Sequence, residues 1–212
     1  MKLHQPWPAV LASICVWVAA PAAAATLTFD DLPVGTTLAS DYPGVLFSPN
    51  AFSGPGTSSS GADWATNTDM TIVDSAGGDV GGLGTPALVG GHLLRSFAGW
   101  ASEDGDPSFL ITFTDPISSI TIAFAGVTWP ADVRLQAYNG ATYLGVIVGT
   151  SADAQFTLTF SAASITSVAV APGSFDDWVG VDNITYIPAV PEPAAWMLLA
   201  AGLGALALRR RG

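Results

Sequence analysis

Alternating apolar and polar residues run through most of the chain and predict β-strands. Short runs rich in Thr, Val, Ile and Phe follow the period of about two that belongs to a strand. No long stretch shows a helical stripe with capping residues. The predicted strands are Thr26–Phe29, Val45–Phe47, Met70–Val73, Leu93–Phe97, Phe109–Phe113, Ile117–Phe124, Val133–Tyr138, Tyr143–Val148, Gln155–Phe160, Ile165–Val170 and Asn183–Ile187.

Turn-forming dipeptides separate several of these strands, at Asp115-Pro116, Asn139-Gly140 and Pro172-Gly173. Asn139-Gly140 lies between two alternating runs and is the strongest hairpin signal in the chain. Many short strands without helices predict an all-β fold, an antiparallel β-sandwich. Ser48–Asp69 and Asp74–Gly91 are dense in Gly, Pro, Ser and Asp, and loops of that length are usually functional or disordered.

The two ends of the chain differ from this pattern. Residues 1–25 combine Lys2, an apolar stretch and four alanines, as a cleavable signal peptide does. Cys15 lies within this segment, so the mature domain, residues 26–188, contains no cysteine. Residues 189–212 contain an uncharged run, Ala194–Leu208, followed by arginines. The run predicts a short transmembrane helix of roughly 22 Å with its C-terminal end in the cytoplasm.

The C-terminal region resembles the PEP-CTERM sorting signal of Gram-negative bacteria. The residues that carry the resemblance are Val190, Pro191, Glu192 and Pro193, the apolar run, and Arg209, Arg210 and Arg211. The resemblance implies that an exosortase-type membrane protease removes the tail from an inner-membrane-anchored precursor. The protein would then reach the cell surface or the extracellular matrix. The alternative is an ordinary C-terminal membrane anchor or a chance apolar tail.

The mature domain also has a family resemblance of low specificity. Thr28–Leu38, Asp41–Phe47 and Trp178–Tyr186 are similar to segments of PEP-CTERM proteins that carry a galactose-binding-like jelly roll. The resemblance implies a jelly-roll sandwich. That family includes carbohydrate-binding modules, often with a structural calcium ion, and many members without a known ligand.

The net charge of the mature domain limits the kinds of molecule that it can bind. Residues 26–188 hold 16 of the 17 acidic side chains and two basic ones, Arg95 and Arg134, which gives a net charge of −14. Nucleic-acid binding needs clustered Lys or Arg and is therefore excluded. Abundant carboxylates suit divalent cations, calcium above all. They equally suit a secreted protein that is acidic only for solubility.

Catalytic residues are scarce. His92 is the single histidine of the mature domain and has no nucleophile motif beside it. One histidine without cysteine is too few for a catalytic zinc. One enzymatic hypothesis remains, in which a pair of carboxylates hydrolyses glycosidic bonds. We therefore predict that the protein is not an enzyme.

Calcium is the predicted cofactor. Asp30 and Asp31 follow the first strand, while Asp177 and Asp182 flank the last one. First and last strands commonly adjoin in a jelly roll, so these four carboxylates are expected to converge. The alternative is that they bind nearby backbone N–H groups at strand ends. Glu103–Asp106 is a second, weaker candidate because it lacks full EF-hand spacing.

Tryptophans near turns are the predicted ligand-binding residues. Sugar rings pack on exposed flat aromatics with hydrogen-bonding neighbours. Trp64 with Asp63 and Asn67 meets this description, as does Trp100. The alternative is that each ring covers the core. The chain therefore predicts an exported carbohydrate- or exopolysaccharide-associated module, or a structural surface protein without a small ligand.

Overall fold

The computed structural model describes residues 23–49, 70–76, 88–95, 108–151, 153–173 and 179–189, and also Gly202. The segments from 23 to 189 belong to one compact unit. Their strands are β1 Ala25–Leu27, β2 Val45–Pro49, β3 Thr71–Asp74, β4 His92–Arg95, β5 Phe109–Ala125, β6 Arg134–Asn139, β7 Thr142–Val148, β8 Gln155–Ala171 and β9 Gly180–Pro188. A single turn of 3-10 helix, Pro130–Asp132, precedes β6.

Every strand pair is antiparallel, which confirms the predicted all-β antiparallel class. The strands form one sheet in the order β3-β4-β9-β5-β8-β6-β7, with β1 paired to β9 and β2 paired to β5. In the described ranges no helix has the length and apolar character needed to cross a membrane. Residues 1–22 of the predicted signal peptide and nearly all of Ala194–Leu208 lie outside those ranges.

Two strands are much longer than predicted. β5 and β8 each contain 17 residues and each replace two predicted strands. The predicted turn at Asp115-Pro116 is wrong, because β5 continues through it. The register of β5 against β8 shifts between Thr112 and Ile117. Pro116 has no N–H to give to a ladder, and an irregular point in a strand is where a proline is tolerated.

The long strands serve two groups of neighbours. Residues 109–113 of β5 pair with β2, whereas residues 117–125 pair with β9. β8 pairs with both stretches of β5, and its last residues also pair with β6. Strands that change partners at a bulge in this way make the corners between packed sheets.

The register shift also changes which side chains face the core. Before it the buried residues of β5 are Phe109, Ile111 and Phe113. Ile117 is buried at the shift, and beyond it the large buried side chains are Ile120, Ile122 and Phe124, while the small Ala123 and Ala125 are buried in a second cluster. Among the large side chains of the main core, the odd positions therefore give way to even ones, since successive side chains of a strand point to opposite faces. Both groups of strands contribute to one hydrophobic core cluster.

Two local predictions are confirmed. β6 and β7 form a hairpin around Gly140, with Asn139 opposite Thr142. β1 and β9 are neighbours, with Leu27 opposite Ile184. β1 is shorter than predicted and ends before Phe29, whose positive φ of 60° is incompatible with a strand.

Candidate functional site

Two predicted acidic residues meet at the start of β4. Asp30 Oδ1 accepts a hydrogen bond of 2.8 Å from the backbone N–H of His92. Asp182 Oδ2 accepts one of 3.0 Å from the backbone N–H of Gly90. Carboxylates from the two ends of the domain thus hold alternate N–H groups of the Gly90–His92 segment. Of the four aspartates predicted to lie together, Asp30 and Asp182 therefore bind the same backbone segment.

A bulge in β9 directs Asp182 toward this segment. The register of β9 against β5 shifts between Thr121 and Ala123, opposite this part of β9, and Asn183 has a positive φ of 48°. Asparagine tolerates that left-handed conformation better than most residues. The Asn183 N–H donates to Asp182 Oδ1 over 2.6 Å, and its Nδ2 donates to the Leu88 carbonyl over 2.7 Å. Both side chains therefore anchor residues 88–90.

Glycine is required in the middle of the anchored segment. Gly91 has a φ of +56°, and a Cβ added there would overlap Asp30 Oδ1. A Cβ added at Gly90 would meet only open space, so just one of the two glycines is sterically constrained. The close approach of Asp30 to the backbone depends on the missing side chain of Gly91.

His92 has a structural role at this place. Its ring Nδ1 lies 2.8 Å from the carbonyl oxygen of Leu32. Its backbone N–H is bound by Asp30, and it lies opposite Asp74 in the pairing of β4 with β3. The histidine thus joins β4 to the turn after β1.

Burial decides the electrostatics of the cluster. Desolvation raises the pKa of Asp182 to about 6, and the N–H bonds from Gly90 and Asn183 oppose that rise. The nearby charge of Asp30 adds to it. Asp182 is 1% exposed, so its ionised form is held in the interior only by donated hydrogen bonds.

Asp31 binds elsewhere. Its Oδ1 accepts a 2.7 Å hydrogen bond from the Tyr42 hydroxyl. Burial, together with this bond and the charge of Asp31, raises the pKa of Tyr42. Asp31 therefore ties the turn after β1 to the residues that lead into β2.

The described residues around Asp30 and Asp182 do not supply enough oxygen ligands for a calcium ion. Calcium takes six to eight oxygens, whereas the described residues contain no group of three or more Asp, Glu, His or Cys side chains that could hold a metal ion. Both oxygens of Asp182 already accept N–H bonds. Asp177, the fourth predicted ligand, lies outside the described ranges. The geometry of the cluster matches the alternative, in which aspartates bind backbone N–H groups.

Other predicted residues also lie outside the described ranges. They are Asp63, Trp64, Asn67, Trp100, Glu103–Asp106, and the sorting residues Val190, Pro191, Glu192, Pro193, Arg209, Arg210 and Arg211. Trp129 is described and is 47% exposed beside the 3-10 turn.

One buried charge was not predicted. Arg134 is 8% exposed, and its Nη2 lies 3.7 Å from Asp132 Oδ1. Burial lowers its pKa, and the neighbouring Asp132 opposes that shift. Both faces of β6 are buried at this point, because Arg134 and Gln136 alternate with the core residues Leu135 and Ala137. A lone arginine in an otherwise uncharged strand was the available signal.

The comparison with protein families gives one match. Residues 189–211 match the PEP-CTERM protein-sorting motif. The motif marks an exported protein whose membrane-anchored precursor is processed by an exosortase, a membrane protease, for the cell surface. The predicted sorting signal is therefore confirmed.

The other comparisons are weaker. No curated protein sequence matches the chain. Among solved structures, the K2 cleaved adhesin domain of Lys-gingipain is similar at a TM-score of 0.42 and 13% identity, over 77% of this chain and 99% of that one.

Proposed function

We propose that the protein is a non-catalytic surface or extracellular-matrix module of a Gram-negative bacterium that associates with carbohydrate, in the first place with an exopolysaccharide. The observation that carries the proposal is the sorting motif at residues 189–211. An exported module of this kind works among secreted polymers. Its net charge of −14 over residues 26–188 favours solubility outside the cell.

The proposal includes the finer points of architecture. Residues 1–25 are a signal peptide, Ala194–Leu208 is a transmembrane helix until processing, and the mature domain is a jelly-roll sandwich. The partner change of β5 and the single core shared by both groups of strands support the sandwich. N-terminal sequencing of the exported protein tests the first point, since a start near Thr26 is expected.

Carbohydrate association is tested with a glycan array and with polysaccharide pull-down of the exported protein. The variants are Trp64→Ala, Trp100→Ala and Trp129→Ala, because the packing of a sugar on an aromatic ring is lost with the ring. Val34→Ala, which truncates an exposed apolar side chain, is the matched control. Binding that one tryptophan variant abolishes and the control retains supports the proposal. Silence across a broad panel favours the alternative, a structural surface protein without a small ligand.

Calcium is proposed as a structural ion that would require Asp177 in addition to Asp30 and Asp182. A calcium titration of the exported protein, read as melting temperature, tests this. An ion that binds only the folded state stabilises it by about 2.7 kcal/mol at a hundredfold excess over Kd. A rise of several degrees that EDTA reverses supports the ion. No shift in millimolar calcium leaves the aspartates with backbone anchoring alone.

We also propose that the protein is not an enzyme and does not bind nucleic acid. The contact of the His92 ring with the Leu32 carbonyl supports a structural role for this histidine. Turnover of a panel of polysaccharides and chromogenic glycosides by the exported protein would contradict the first statement. Retention on nucleic acid at physiological salt would contradict the second.

A further inference from the structure

The tip of the β6–β7 hairpin carries two adjacent groups that react with one another. The chain contains four asparagines, Asn50, Asn67, Asn139 and Asn183, of which Asn139 is the one followed by glycine. Asn139 and Gly140 are both exposed, and a Cβ added at Gly140 would meet nothing within 4 Å. Glycine has no side chain to shield its backbone nitrogen from the preceding residue. The tip therefore places a backbone nucleophile beside a side-chain amide in open solvent.

The reaction between these groups is the deamidation of asparagine, which makes this residue type thermally labile. The Gly140 nitrogen loses its proton to water and attacks the side-chain carbonyl carbon of Asn139. The new C–N bond closes a five-membered succinimide ring, and the side-chain nitrogen leaves as ammonia. One water molecule then opens the ring at either of its carbonyl groups, which gives aspartate or isoaspartate. Water is the sole co-reactant, because no atom is oxidised or reduced.

A hydroxyl group from β8 holds the attacking nitrogen. The Gly140 N–H donates a hydrogen bond of 2.7 Å to Thr166 Oγ1. The same hydroxyl donates to the carbonyl oxygen of Tyr138 over 3.3 Å. Thr166 is 26 residues from Gly140 along the chain, and the pairing of β8 with β6 brings the two together. One side chain therefore binds the backbone on both sides of Asn139.

The contact with Thr166 slows the attack. A neutral hydroxyl accepts a hydrogen bond from the amide, but it is too weak a base to remove the amide proton. The hydrogen bond must therefore break before the Gly140 nitrogen is deprotonated and turns toward the side chain of Asn139. Breaking a hydrogen bond of ordinary net strength lowers a rate by about threefold to tenfold.

We propose that Asn139 is a site of spontaneous deamidation and that the Thr166 hydroxyl limits its rate. The product places a carboxylate within residues 135–152, a stretch of the chain without a charged residue. Isoaspartate also lengthens the backbone by one carbon atom and disrupts the pairing of Asn139 opposite Thr142. The hairpin therefore changes irreversibly as the protein ages. The site is separate from the aspartate cluster at β4 and does not depend on carbohydrate binding.

The test incubates the exported protein at physiological pH and temperature and follows the conversion of Asn139 by peptide mapping with mass spectrometry. Thr166→Val removes the hydroxyl and keeps the branched side chain, so it is expected to accelerate conversion about threefold to tenfold. Thr166→Ser keeps a hydroxyl and is expected to retain the wild-type rate. Thr159→Val is the matched control in β8, because it removes a hydroxyl that contacts Thr121 instead, and it is expected to react at the wild-type rate.

Two further measurements identify the reaction. Asn139→Gln is expected to stop conversion at this position, because attack by Gly140 on the longer side chain would have to close a six-membered ring, which forms much more slowly. Asn183 precedes a branched isoleucine, and its Nδ2 donates to the Leu88 carbonyl, so it is expected to stay unconverted as an internal reference.

Wild-type protein unfolded in urea lacks the contact with Thr166, so it gives a second comparison that does not depend on the folding of a variant. Asn139 is expected to convert more slowly in the folded protein than in the unfolded one. Equal rates in the two states overturn the proposal. So does an absence of conversion in both the wild type and Thr166→Val, an equal acceleration by Thr166→Val and Thr159→Val, or a Thr166→Ser variant that reacts as fast as Thr166→Val.

Discussion

Among the glycines that the structure describes, Gly91 is the one at which two constraints coincide. It combines a left-handed φ with contact against the carboxylate of Asp30. Gly90, next to it, meets neither condition. The pair therefore offers an internal comparison of a required glycine with a replaceable one.

Gly91→Ala is expected to destabilise the domain by roughly 2–4 kcal/mol. A left-handed alanine costs about 1–2 kcal/mol, and the displaced Asp30 carboxylate loses a charge-assisted hydrogen bond worth a similar amount. Urea unfolding of the exported protein measures the change. Gly90→Ala keeps the N–H that Asp182 binds and is expected to stay within about 0.5 kcal/mol of wild type. Equal losses for both variants would show that Asp30 does not rest against Gly91.

Asp182 is expected to make the domain less stable as pH rises from about 4 to about 6. Its pKa is raised from 3.8 to about 6 in the folded state, so the folded protein binds more protons than the unfolded chain in this window. By linkage, the free energy of unfolding falls by up to about 3 kcal/mol as pH rises from about 4 to about 6. Above about pH 6 Asp182 causes no further fall.

Asp182→Asn should flatten that part of the pH dependence, measured by urea unfolding in EDTA. Asp115→Asn, at an exposed side chain, removes the same charge and should keep the wild-type slope. If the two variants show the same slope, burial of Asp182 does not govern its ionisation.

Among the strands and turns, local signals predicted hairpins well and strand continuity poorly. Asn139-Gly140 makes a turn because both neighbouring runs alternate and glycine accepts its φ of +56°. Asp115-Pro116 is also a turn-forming dipeptide, but it lies inside β5. There β2 bonds to the strand before it, and β9 bonds to the strand after it. Pairing with β2 and β9 outweighed the local preference for a turn, because the two pairings together supply many backbone hydrogen bonds.

The hairpin and its base give a second glycine comparison. Gly140→Ala should cost about 1 kcal/mol, since φ is left-handed but the space is open. Gly149→Ala should cost more, because its Cβ would overlap the Pro130 carbonyl oxygen and lie 2.9 Å from Phe156 Cζ. Thermal unfolding of the two variants ranks them. If Gly140→Ala cost more stability than Gly149→Ala, the 3-10 turn at Pro130 would have to move aside easily to accommodate the new Cβ.

In the molecule taken as a whole, sorting and folding are separate properties. The motif at residues 189–211 is read as a linear sequence by a protease. We expect recognition to depend on these residues and not on the fold of residues 26–188.

Replacing Pro191-Glu192-Pro193 by alanines is therefore expected to leave the tail attached and the protein in the membrane. Mass spectrometry of the protein from exosortase-containing cells measures the outcome. A lysine substitution at Val34, in the folded domain, is the control and should be processed normally. An unchanged mature mass in the triple-alanine variant would contradict a sorting role for these residues.

Properties that depend on residues close together in the sequence could be predicted from the sequence alone. A period of about two made the all-β class predictable, and a linear motif made the sorting signal predictable. Only the tertiary structure decided which backbone groups the aspartates bind. Asp30 is separated from His92 by 62 residues, and Asp182 from Gly90 by 92. Their carboxylates meet the backbone because β1, β4 and β9 are neighbours in the sheet, and no local pattern encodes such a meeting.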